Sequence, residues 1–175
     1  MSFQTTVGFR NTSGFLGQII REVPSVVKVW RLSSQTAVPN TFGKAFTASP
    51  EVVTTPEMGL QAIKVAAVGG TAAFAGILVN PSEFANSGSA SGTLAPNLDL
   101  PAYSRAELMT EGEAVVSFPA AVAYGDGVAF DPATGALVAP GVGMTTIVGA
   151  MVTNTITAAG LTTISLAKLP TPASA

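Results

Sequence analysis

From residue 132 to residue 167 the chain carries no charged side chain. A run of this length would accommodate a membrane-spanning helix, which needs about 20 apolar residues. The composition of the run forbids one. Pro132 and Pro140, five glycines and many threonines interrupt it, so no window of spanning length is uniformly apolar. β-Branched residues between glycine and proline turns specify short strands, because they lose χ1 freedom in a helix and pack well on a pleated surface. Residues 65–82 are uncharged as well, and Gly59, Gly69 and Gly70 leave an alanine-rich helix little room there. The chain is expected to be soluble, with no membrane partner.

Short strands separated by turn signals at about 8–12-residue spacing specify a β-sandwich or barrel. The first strand is Val26–Ser33, with Val26, Lys28, Trp30 and Leu32 on one face and Val27, Val29 and Arg31 on the other. Two half-apolar faces imply burial on one side and contact on the other. Lys44–Thr47 and Val52–Thr54 are short strands between prolines. Gln61–Val68 and Ala72–Val79 are expected to pair as a hairpin across Gly69-Gly70-Thr71. Glu113–Phe118, Val128–Phe130, Ala136–Val138, Thr145–Thr153 and Leu161–Lys168 complete the set. Between Val128–Phe130 and Ala136–Val138, Pro132 presets φ for a turn and Gly135 supplies the left-handed position that closes it. Residues 1–25 fit neither a helical nor an alternating period and read as an N-terminal arm or first strand. Residues 26–169 form the domain, and 170–175 a frayed tail. Asn80 to Pro101 is a long irregular loop carrying Phe84, Leu94, Leu98 and Leu100, and loops of more than about 12–15 residues usually bind something or stay disordered.

Composition narrows the chemistry. Only 10% of the residues are charged, against about 25% in an ordinary domain. The polar character comes from 20 Thr and 14 Ser rather than from ions. There is no Cys and no His, which removes disulfides, thiolate nucleophiles, Ser-His-Asp mechanisms and the commonest metal ligands. The opening Met1-Ser2-Phe3-Gln4 has no basic stretch followed by an apolar one, so no secretory signal is expected. Net charge is −2, with residues 1–64 at +3, 65–131 at −6 and 132–175 at +1. The basic front is too sparse for nucleic acid, where several phosphates are neutralised together, but it could steer the chain toward an acidic protein surface.

The remaining motifs have plain readings. Ser25-Val26-Val27-Lys28 matches a Ser-x-x-Lys nucleophile, yet it enters a strand and lacks the accompanying elements. Gly43-Lys44 is followed by Ala45 where a phosphate loop needs Ser or Thr. Gly125-Asp126-Gly127 and Asp131 are too few carboxylates for calcium and read as turn formers. Glu107, Glu111 and Glu113 read as a solvated strand edge. No catalytic residue, metal or cofactor is expected.

A second kind of information enters at Gly70-Thr71-Ala72-Ala73-Phe74-Ala75-Gly76-Ile77-Leu78-Val79-Asn80-Pro81. With Leu94-Ala95-Pro96-Asn97-Leu98-Asp99-Leu100-Pro101, Ala106-Glu107-Leu108-Met109-Thr110-Glu111-Gly112, Phe118-Pro119-Ala120-Ala121 and Tyr124-Gly125-Asp126-Gly127, it resembles the structural cement, or capsid decoration, proteins of tailed bacteriophages. Thr134-Gly135-Ala136-Leu137, Ser2-Phe3-Gln4-Thr5-Thr6-Val7-Gly8 and Gly14-Phe15-Leu16-Gly17 extend the resemblance, which is weakest over about 33–60. It implies a β-sandwich or barrel, jelly-roll-like, on the outer surface of an assembled icosahedral capsid in the virion. There it would clamp neighbouring major capsid subunits after expansion, as a homodimer or homotrimer. Apolar but aperiodic sequence nominates Phe9, Phe15 and Ile19 of the arm as capsid contacts, and Phe84, Leu94 and Leu98 as a loop shared between subunits. The alternative is a phage surface carbohydrate-binding or host-adhesion module, against which the single Trp and two Tyr weigh.

Overall fold

The computed structural model describes residues 14–20, 22–33, 38–50, 64–80 and 99–167. The expected strand Val52–Thr54 and the tail lie outside them. Among the described residues there are strands and no helix: β1 (Val26–Leu32), β2 (Asn40–Thr41), β3 (Ala45–Ala48), β4 (Val65–Val68), β5 (Phe74–Val79), β6 (Asp99–Leu100), β7 (Arg105–Phe118), β8 (Gly127–Phe130), β9 (Leu137–Val138), β10 (Thr145–Val152) and β11 (Gly160–Leu166). The all-β expectation is borne out. Nine strands form one sheet in the order β1-β4-β3-β5-β7-β11-β10-β8-β9, while β2 and β6 make a separate ribbon. β1 also pairs with β7, so the first five strands of that order close into a ring and the last four extend from it. All ladders are antiparallel except β1–β4.

Each strand of the ring contributes to its interior: Leu32, Phe46, Ala66 with Val68, Ala75 with Leu78, and Ala106 with Leu108. Alternating small and large side chains is what a narrow ring requires, since five Leu or Phe layers would overfill it. A second core lies between the outside of the ring and the extension. Ile77 and Met109 from the ring meet Val116, Phe118, Phe130, Ile147, Val152 and Ile164 there. Full burial of each such large side chain contributes about 1.5–3 kcal/mol.

β7 spans 14 residues and serves both cores. Ala106 and Leu108 point into the ring, whereas Ala114, Val116 and Phe118 point into the second core, although all five positions are even. The register with β1 explains the switch. Val27 pairs with Met109 and Val26 with Glu111, which leaves Thr110 as an extra residue. One extra residue rotates everything beyond it to the other face. The Thr110 hydroxyl donates to Val26 O at 3.3 Å, giving the bulge a local tether.

The expected hairpin of Gln61–Val68 with Ala72–Val79 is corrected. β3 lies between β4 and β5 and pairs with both, so the 69–73 connection crosses above β3 instead of folding β4 directly onto β5. The crossing runs against Thr47, whose hydroxyl donates to Gly69 O at 2.5 Å. Gly70 (φ +87°) sits so close that a Cβ would lie 2.7 Å from Thr47 Oγ1. The Gly-Gly pair is therefore needed for close passage as well as for turning.

Candidate contact surfaces

Chain pairing explains the aperiodic spacing of the N-terminal segment. Gly17 N–H donates to Val115 O at 2.8 Å, Val115 N–H to Gln18 O at 2.9 Å and Ile20 N–H to Glu113 O at 2.8 Å. Ile19 thereby bridges Ala114 and packs, half-buried, on the second core. Leu16 packs on the ring core instead. Phe15 points away from both and is 45% exposed. Of the residues nominated from sequence, Phe15 presents a free apolar surface and Ile19 is largely used within its own chain. Phe9, Phe84, Leu94 and Leu98 lie outside the described residues.

The two faces expected of β1 are real. Leu32 is buried and Trp30 packs on the ring core, while Val29 on the opposite face is 65% exposed. Arg31 shares that outer face; its Nε donates to Tyr103 O at 3.2 Å and its guanidinium lies 5.5 Å over the Tyr103 ring. On the other face, Lys28 and Trp30 line a cleft of about 430 Å³ between the mouth of the ring and β10. Lys64 stands over the Trp30 ring at 5.7 Å. Phe74 and Leu166 add apolar lining, Thr110 and Glu111 polar lining, and residues 145–148 form the opposite wall.

Sequence reasoning missed the outward residues of the uncharged run 132–167. Val148 is 67% exposed, and Val142, Met144 and Met151 are exposed too. The signal was the absence of charge from 132 to 167: a solvated sheet face ordinarily alternates apolar with ionic residues, and this one has nothing ionic to place outward.

The chemical motifs resolve into structure. Ser25 precedes β1 and Lys28 lies within it, and three residues of extended chain span about 10 Å, beyond hydrogen-bond reach. Asp131 builds the β8–β9 turn: its carboxylate accepts from Ala133 N at 2.8 Å and Thr134 Oγ1 at 2.7 Å, and Gly135 takes φ +69°. The Thr134 hydroxyl, then the Ala133 N–H, lowers the Asp131 pKa. Asp126 likewise accepts from Ala123 N at 2.8 Å. Burial lowers the Lys44 pKa, and nearby Asp99 partly opposes this. Among the described residues no group of three or more carboxylates, His or Cys is placed to hold a metal.

Known proteins can now be set beside this geometry. No curated protein matches the chain. A solved structure described as the capsid of Myoviridae Phage XM1 contains a similar chain, with TM-score 0.61 and 17% identity, covering 96% of this chain and 99% of that one. At that identity the likeness shows the fold. Residues 3–167 match the family model described as structural cement protein (E217 gp24/Pam3 gp6). That match takes in the ring, the extension and the N-terminal segment, and the chain belongs to the phage structural cement protein family.

Proposed function

We propose that this protein binds the outer surface of the assembled icosahedral capsid and cements neighbouring major capsid subunits, stabilising the expanded shell. The observation that carries the reading is the family match over residues 3–167. A charge-poor surface with apolar side chains left outward, Phe15, Val29 and Val148 among them, supports it, because protein interfaces are depleted in charge at their centres. The family implies a structural rather than an enzymatic role.

Binding only the assembled state stabilises that state by mass action. A subunit that bridges two or three capsid proteins gains avidity from modest individual contacts. A homodimer or homotrimer placed on a local symmetry axis would do this with one repeated patch. The N-terminal arm, residues 1–25, is assigned to the shell through Phe9 and Phe15, with Ile19 anchoring it to β7. Phe84, Leu94 and Leu98 are assigned to contacts between subunits. Removing residues 2–18 should abolish co-sedimentation with expanded shells that lack the protein; undiminished binding would reject the arm as the contact.

A further inference from the structure

The bonding of β11 to β10 continues past the end of the strand. Odd-numbered residues face β10: Thr153 N–H donates to Thr163 O at 2.8 Å, and Ala167 N–H, one residue beyond β11, donates to Gly149 O at 2.9 Å. Successive residues of an extended chain turn their N–H groups to opposite edges. In the sequence that follows, Lys168-Leu169-Pro170-Thr171-Pro172, Leu169 and Thr171 therefore fall in the register that donates to β10. Pro170 and Pro172 fall on the positions facing away, where a missing N–H costs no bond to β10.

β10 offers the acceptor. Asp131 N–H bonds Ala136 O on the β9 side, so the polar groups of Phe130 face β10 and those of its register partner Thr145 face β8. Thr146 turns its own to the opposite edge, which has no ladder partner at that position among the described residues. Gly149, at φ +77°, marks an extra residue in β10, because Ile147 and Ala150 are both buried although three apart. With that residue counted, Leu169 comes opposite Thr146. The space is present as well. β7 stops pairing with β11 at Gly112, and its preceding residues pair with β1 and β5 instead. Beyond that point the line of β11 runs into the cleft, which Leu166 and Ala167 line together with residues 145–148 on one side and Glu111 and Phe74 on the other.

We propose that residues 168–171 of this same chain enter the cleft as a continuation of β11, with Leu169 N–H donating to Thr146 O, and close it beside Trp30. The strap ties the start of β10 to the ring mouth. Its outward edge lacks, at Pro170 and Pro172, the N–H groups that a further strand would need. This docking is independent of the capsid-binding reading.

Amide hydrogen exchange by NMR on the full chain reads the strap directly. Leu169 and Thr171 should exchange at least about tenfold more slowly than Ala173 and Ser174, as ladder amides do against frayed ones. Trp30 is the single Trp of the chain and lines the cleft, so deleting residues 168–175 should shift its emission to the red as water enters. Leu169→Pro removes the donating N–H and should reproduce that shift. Lys168→Pro, at a position facing away from β10, should match Lys168→Gln. Fast exchange at Leu169 and Thr171, or equal effects of the two proline variants, would overturn the proposal. Emission unchanged by the deletion would overturn it too, and would assign the cleft to residues 51–63, residues 81–98 or another protein. Protection that falls on dilution would overturn it in favour of a tail exchanged with a second copy.

Discussion

Arg31 and Arg105 are direct register partners across β1 and β7. Like charges in that relation oppose each other, and among the described residues only Arg31 is compensated, by Tyr103 O and the Tyr103 ring. Tyr103 sits at φ +61°, a left-handed position rarely used by an aromatic residue. The pair therefore holds two guanidiniums on one outer face at some cost. Arg105→Glu should raise stability by about 0.5–1 kcal/mol in urea unfolding, the range of opposite-charge cross-strand pairs. The gain should shrink in high salt. A loss of stability would show that the two side chains avoid each other.

Thr110 sets the parity of β7. Deleting it should leave either the ring or the second core with its side chains reversed, and the protein should fail to fold. Thr110→Val keeps the residue count and loses the bond to Val26 O, so it should cost no more than about 1 kcal/mol. Chemical denaturation of the two variants checks this contrast. A deletion variant with a cooperative, native-like transition would contradict the parity account.

Gly70→Ala tests the crossing above β3. The substitution combines a left-handed φ with a Cβ 2.7 Å from Thr47 Oγ1, and the backbone term alone costs about 1–2 kcal/mol. A loss of at least that size in Tm-derived stability is expected. Gly125→Ala is the comparison: it shares the left-handed φ, but its Cβ would meet nothing within 4 Å, so it should cost less.

Asp131 gives the β8–β9 turn a pH dependence. Its carboxylate is stabilised by Thr134 and Ala133, so its folded pKa lies below the unfolded value. A group shifted that way contributes its full stability above the unfolded pKa, about 3.9. The contribution is lost as pH falls through the lower, folded pKa. The Tm difference between wild type and Asp131→Asn should therefore be constant above about pH 5 and shrink toward acid. A difference that grows as the pH falls would contradict the assigned hydrogen bonds.

Local signals carried much of this fold. The alternation of Val26–Leu32 told that the strand has two distinct faces, without telling which is buried, and Asp131 with Gly135 told where the chain turns. Neither tells which strand lies alongside which. β1 closes the ring through partners in Arg105–Glu111, and β3 enters between β4 and β5, so both pairings are long-range. Alternation records that a side chain is buried and is silent about the neighbour that buries it. The Thr110 bulge was hidden for a related reason, because Ala106, Leu108, Ala114 and Val116 keep one parity in sequence while serving two cores. At the surface, Phe15 was legible as apolar sequence without a period. Ile19 has the same signature but is consumed by Ala114, and Val148 read simply as part of a strand. The cleft beside Trp30 needs the ring mouth and β10 together, which no single segment of sequence contains.

The central claim concerns the shell, and co-sedimentation of the purified protein with expanded shells of the same phage lacking it is the most direct test. A melting scan of the pelleted complex completes the measurement. The account predicts saturable binding and a shell melting temperature above that of bare shells. Folded protein that stays in the supernatant, with shell melting unchanged, would contradict it.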